Sequence, residues 1–81
     1  MADLTNSYNG GMRVRVLITP KEGLLDPEGR AVKEILEDNG YKVKSVRVGK
    51  VVELEVDDPS QVKEMVEKFL YNPLIEEYVI E

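Results

Sequence analysis

The sequence predicts an α+β fold: a ferredoxin-like β-α-β-β-α-β sandwich, with a four-stranded antiparallel sheet and two helices on one face. Three observations predict it. Short runs with β-branched residues at period two are interleaved with two stretches whose apolar residues recur at helical spacing. Both helical stretches open on Asp-Pro, at Asp26-Pro27 and Asp58-Pro59, which sets an N-cap carboxylate before a proline at the first helical position. Opposite charges fall where the first and third strands of that topology would face one another: Arg13 and Arg15 against Glu53 and Glu55.

Residues 1–11, MADLTNSYNGG, carry one charge and no periodic apolar set, and they lack the basic start or apolar stretch of a targeting peptide. They read as a disordered leader, either an expression scar or a short extension, and the folding unit as 12–81. Arg13 to Thr19 alternates and predicts the first strand, with Val14, Val16 and Ile18 on one face and Arg13, Arg15, Leu17 and Thr19 on the other. Pro20 ends it by removing a backbone donor. The first helix starts at the Asp26 cap, carries Ala31, Val32, Ile35 and Leu36 inward, and stops at Asn39-Gly40, where Gly40 suits a left-handed cap.

Tyr41 to Val48 reads as the second strand, with Val43 out of phase with Val46 and Val48 and a bulge near Lys44-Ser45 to reconcile them. Gly49-Lys50 reads as a tight hairpin turn. Val51 to Asp57 is the third strand, with Val52, Leu54 and Val56 on its core face. Asp58 caps the second helix, with Gln61 placed to close a capping box. Val62, Met65, Val66, Phe69 and Leu70 form its apolar stripe. Asn72-Pro73 stops it, and Leu74 to Ile80 is the fourth strand. Right-handed connections then give the sheet order 4-1-3-2.

Composition removes whole classes of chemistry. The 81 residues include no Cys and no His, which excludes thiol nucleophiles, disulfides, imidazole catalysis and zinc sites built on either residue. A net charge of −5 argues against nucleic-acid binding, and no apolar run approaches the ~20 residues of a membrane helix. Neither metal nor cofactor is expected in this chain. No phosphate-cradling glycine motif occurs. Strands 1 and 3 carry none of the aromatic side chains on which an RNA-recognition sheet stacks bases. Glu53 and Glu55 could serve acid–base chemistry or bind a divalent cation, but Arg13 and Arg15 are expected to neutralise them. Asp58 and Ser60 read as helix caps. A core of seventy residues buries only about 60% of the unfolded surface. Leu17, Val51 and Tyr78 are expected on the helix-free face, so self-association, most simply as a two-fold dimer, is expected too.

Three stretches at fixed points of this topology are distinctive as an ordered set. They are Leu25-Asp26-Pro27-Glu28-Gly29-Arg30-Ala31-Val32, Val46-Arg47-Val48-Gly49-Lys50, and Val62-Lys63-Glu64-Met65 leading into Leu70-Tyr71-Asn72-Pro73-Leu74-Ile75-Glu76-Glu77-Tyr78. Together they resemble the PurS family, the small subunit of phosphoribosylformylglycinamidine synthase, over essentially all of 12–81. The stretch before Met12 is outside the resemblance, and Val66 stands where some relatives carry Cys.

The resemblance implies a place in purine biosynthesis and in the cytoplasm. A glutaminase subunit releases ammonia. A synthetase subunit uses it, with ATP and Mg, to convert formylglycinamide ribonucleotide to the formylglycinamidine. The small subunit implied here has no catalytic residue of its own. It bridges the two partners, supports ammonia transfer and self-associates as a dimer or tetramer. Motif position places the partner interface at Leu25, Asp26 and Pro27, at Arg47, Gly49 and Lys50, and at Tyr71, Asn72 and Pro73, with Gly29 allowing a neighbouring chain to approach. A stand-alone ACT-like amino-acid-binding regulatory module shares the same element order and is the alternative.

Overall fold

A computed structural model describes residues 11–24 and 26–81. The leader reading of 1–11 thus falls, apart from Gly11, outside the described residues, as does Leu25. Strand β1, Met12–Pro20, lies at the centre of an antiparallel sheet that has three strands among the described residues. On one side it pairs with β2, Lys50–Val56, in the register Arg13↔Glu55, Arg15↔Glu53 and Leu17↔Val51. On the other it pairs with β3, Glu76–Ile80, in the register Leu17↔Val79 and Ile18↔Tyr78. The expected charge ladder is therefore in place. Arg15 Nε lies 3.7 Å from a Glu53 carboxylate oxygen, with both side chains about half exposed. The pair helps set register and adds little stability.

The alternation of β1 decides where the core lies. Val14, Val16 and Ile18 point to one face and are buried there with Val62 and Val66 of the second helical segment. Val52, Leu54, Val56, Leu70, Tyr71 and Tyr78 pack around them. Tyr78 lies opposite Ile18, so it sits on the core face and not on the helix-free face. The apolar row on that open face is Leu17, Val51 and Val79.

The second helical segment runs as a 3₁₀ turn, Pro59–Gln61, an α-helical turn, Val62–Met65, and a π-helical turn, Val66–Leu70. Asp58 caps it by accepting from the Ser60 amide at 3.0 Å and the Ser60 hydroxyl at 2.6 Å. Ser60, not Gln61, completes this start. The wider π turn breaks the expected stripe: Leu70 stays against the core, while Phe69 is left 82% exposed.

The first helix, α1, spans Pro27–Asp38 and has the expected ends. Asp26 accepts from the Gly29 amide at 3.0 Å, and Gly40 adopts φ +93°. Its partners are not as expected. Val32 and Ile35 are 38% and 60% exposed, and Gly29 is the helix's buried residue. The helix stands off the sheet.

Tyr41–Val48 belongs to no strand, and Gly49-Lys50 makes no hairpin. Backbone 45–49 runs without a turn straight into β2. This extended segment lies back along α1 instead of pairing with β2. The Tyr41 amide donates to the Leu36 carbonyl at 3.0 Å, Lys33 Nζ to the Lys44 carbonyl at 3.4 Å, and the Val48 amide to Asp26 Oδ2 at 3.1 Å. The out-of-phase valines are consistent with this, since a helix flank does not require the strict period-two face that sheet pairing does.

Candidate assembly interface

The helix and its extended return form an arm, and its root lies at the end of the sheet. Asp26 is the central residue there. One carboxylate oxygen caps the first turn of α1, and the other accepts from Val48, 22 residues away in sequence. Gly29 is indispensable to this closeness. A Cβ there would run into Asp26 Oδ2 and the Val46 carbonyl oxygen. The close neighbour at Gly29 is thus this chain's own return segment. Gly49 has a similar role against the sheet, where a Cβ would meet the Ile18 carbonyl and the Thr19 side chain. Arg47 ties the root down: its Nη1 donates to the Pro20 carbonyl at 3.2 Å and to Glu77 Oε2 at 2.6 Å.

Between these groups lies a cleft of about 620 Å³. Asp26, Pro27, Gly49 and Lys50 line it together with Ile18, Pro20, Leu24, Val48 and Ile75. Four positions named from the sequence are therefore gathered in one cleft, and Arg47 lies at its side. Tyr71, Asn72 and Pro73 lie apart from it. Tyr71 turns inward, packing edge-on against Tyr78 with ring centroids 4.8 Å apart. Asn72 organises the turn into β3: its side chain accepts from Leu74 at 3.0 Å, and its carbonyl from Glu76 at 2.8 Å. Leu74 is 80% exposed on that turn.

The cleft offers apolar walls, and its Asp26 carboxylate is already engaged by two amides. Among the described residues no group of three or more acidic, His or Cys side chains could hold a metal ion, and no helix is long and apolar enough to cross a membrane. Among the described residues, two ionisable groups are shifted, both by local hydrogen bonds. Ser60 holds the Asp58 carboxyl below its usual range. Glu67 pushes the Tyr78 hydroxyl up by accepting a hydrogen bond from it at 2.9 Å. Sequence reasoning missed Glu77 as the partner of Arg47, because their contact depends on how β3 and the arm root meet. It missed the exposure of Ile35 and Phe69 because periodicity says which residues share a face, not what covers it.

Fold and surface together define a small α+β module that carries an arm with uncovered apolar side chains. Comparison with known proteins narrows this class. The family described as "PurS: Phosphoribosylformylglycinamidine (FGAM) synthase" matches residues 13–81, and the chain belongs to that family. It is 42% identical over 72 residues to the phosphoribosylformylglycinamidine synthase subunit PurS of Bacillus subtilis, covering 82% of this chain and 86% of the relative. It is similar to the crystal structure of Methanocaldococcus jannaschii PurS, one of the subunits of formylglycinamide ribonucleotide amidotransferase in the purine biosynthetic pathway. The TM-score is 0.70 at 33% identity, over 85% of this chain and 92% of that one. It also matches a chain in the structure of PurLQS from Thermotoga maritima, with TM-score 0.71 and 29% identity over 85% of this chain and 93% of that one. These matches favour the family over the amino-acid-binding alternative.

Proposed function

We propose that this chain is the small subunit of phosphoribosylformylglycinamidine synthase, bridging the glutaminase and synthetase subunits and supporting ammonia transfer between them. The observation that carries the reading is the family match along the whole of 13–81, joined to the likeness to a chain of the PurLQS assembly. The chemistry belongs to the partners. They hold ATP, Mg and glutamine in the cytoplasm, and this chain brings no catalytic residue, cofactor or metal. Its own contribution is surface: the cleft at the arm root, the Arg47 and Lys50 cations beside it, and the exposed turn at Asn72-Pro73. The chain acts as a dimer or higher self-assembly. In that assembled state the four-stranded, two-helix sandwich is complete, with Tyr41–Val48 as its fourth strand.

Reconstitution tests this. Glutamine-dependent formation of the formylglycinamidine by the two larger subunits should require this chain, while the chain alone shows neither glutaminase nor synthetase activity. An Arg47→Glu, Lys50→Glu variant should assemble poorly, and Lys50→Glu alone, which leaves the Arg47–Glu77 contact in place, should fold and show the part of that loss owed to surface charge. Full activity of the two larger subunits without the chain would overturn the bridging role.

A further inference from the structure

We propose that Asn39-Gly40, where α1 ends and the return segment begins, is a site of spontaneous covalent modification whose rate is set by the last turn of the helix. The Gly40 amide nitrogen attacks Cγ of the Asn39 side chain, and its proton passes to solvent base. The Cγ–Nδ2 bond breaks, ammonia leaves, and a succinimide ring remains. Water adds to one of the two ring carbonyls and opens the ring. The product is aspartate, or isoaspartate when the backbone is left running through the side chain. The atoms balance with water alone, and the site does not depend on the subunit function.

The two residues meet the needs of this chemistry, and the fold restrains it. Glycine leaves the attacking nitrogen unshielded by a side chain. No atom lies within 4 Å of where a Gly40 Cβ would stand, and both residues are exposed. The helix end is a Schellman closure. The Gly40 amide donates to the Glu37 carbonyl at 3.0 Å, and the Tyr41 amide to the Leu36 carbonyl at 3.0 Å. Asn39 Nδ2 donates back to the Ile35 carbonyl at 2.8 Å. The five-membered ring needs Cβ of Asn39 and the Gly40 nitrogen eclipsed about the Cα–C bond. At the observed ψ of 13° the Gly40 nitrogen is instead nearly eclipsed with the backbone nitrogen of Asn39. The closed turn therefore holds the reacting atoms apart. Reaction requires the Gly40–Glu37 and Asn39–Ile35 bonds to break, both at an exposed helix end, where local opening is easiest.

The product changes the tip of the arm. An amide that donated to the Ile35 carbonyl becomes a carboxylate that can only accept. It follows Glu37 and Asp38 at the negative end of the helix dipole, and α1 has no basic residue in its last turn to offset it. Isoaspartate also adds a carbon to the backbone before Gly40, which takes the Gly40 and Tyr41 amides out of register with their acceptors. The step is one-way, so the tip of the arm records the age of the chain.

The test holds the full chain folded in mildly alkaline buffer, beside the same chain unfolded in guanidinium chloride. The tryptic peptide 34–42, released by cleavage after Lys33 and Lys42, is followed by mass and by isoaspartyl methylation. Cleavage after Arg13 places the other Asn-Gly pair, Asn9-Gly10, in a separate peptide. Residue 39 should convert in both states, roughly tenfold to a hundredfold more slowly in the folded chain, the factor expected for breaking two exposed hydrogen bonds. The folded rate should rise with hydroxide concentration, since the attacking nitrogen must lose its proton. An Asn39→Asp chain carries the aspartate product from the outset. It should unfold about 4–8 °C below wild type at neutral pH, and the difference should close as the carboxylate is protonated in acid. A folded chain left unchanged at residue 39 after the unfolded chain has converted overturns the modification site. Equal rates in the two states overturn its control by the helix end. An Asn39→Asp chain as stable as wild type overturns the loosening of the arm.

Discussion

Gly29→Ala adds one carbon at the arm root, and its consequence can be worked from the surroundings. Alanine is the better helix former, by roughly 0.5–1 kcal/mol in a helix interior. That gain is available only if the new Cβ has room. It would fall on Asp26 Oδ2 and the Val46 carbonyl oxygen, both held in place. Relief must move the Asp26 carboxylate, which accepts from Gly29 at 3.0 Å and from Val48 at 3.1 Å. Loss of an N-cap costs about 1 kcal/mol, and forcing atoms into a filled site about 1–3 kcal/mol. Set against the propensity gain, the net expectation is a loss of about 1–3 kcal/mol. For a domain of this size each kcal/mol lowers Tm by roughly 4–8 °C. The assay is thermal and urea unfolding followed by circular dichroism at one fixed chain concentration, since self-association shifts apparent stability. Gly23 is the control. It sits at φ +83° with no atom near its would-be Cβ, so its cost is conformational, and Asn, which tolerates that region, should recover part of it. Asn at position 29 should recover nothing. A Gly29→Ala chain as stable as wild type would mean that α1 and the return segment are not in contact, and the arm would have no root.

Other expectations follow from single contacts. Asp26→Ala removes the acceptor of two amides at once and should destabilise by about 2 kcal/mol, more than the roughly 1 kcal/mol of an ordinary cap; urea midpoints compare it with Asp58→Ala. Reversing one charge, Arg15→Glu, should cost no more than about 1 kcal/mol, and the double swap with Glu53→Arg should restore most of it in a double-mutant cycle. Tyr78 binds its proton more tightly when folded, so its bond to Glu67 stabilises fully below tyrosine's ordinary value of 10.0 and is lost as pH rises through the higher folded value. Ultraviolet titration should place the Tyr78 hydroxyl late, and Glu67→Gln should bring it back toward tyrosine's ordinary value. Asp58 runs the opposite way: its stabilising bonds to Ser60 hold above the ordinary value of 3.8 and are lost as pH falls below it. Ser60→Ala should narrow that acid loss, as read from unfolding midpoints across pH 2–5.

Much of the chain is written in local chemistry. The alternation in Arg13–Thr19 chose the face of β1, and the Arg and Glu positions foretold its register with β2, because both depend on period two along a strand. Asp26-Pro27, Asn39-Gly40 and Asp58-Pro59 marked helix ends, because caps satisfy backbone groups a few residues away. The ordered motifs carried the family, and four of the interface positions they named meet in one cleft. What failed were the statements about what α1, Tyr41–Val48 and Phe69 would pack against, although the pairing of β1 with both of its neighbours was as expected. Tyr41–Val48 has strand composition, yet it lies along α1, because the Asp26 carboxylate and the bare Cα of Gly29 draw it there. Phe69 has the right spacing for the core, yet a π turn carries it outward. Val32 and Ile35 form a sound apolar stripe whose cover is not in their own chain's sheet. An amphipathic pattern determines that a face will be buried. Only the three-dimensional course of the backbone, straight through Gly49 and away from the sheet, decides against what.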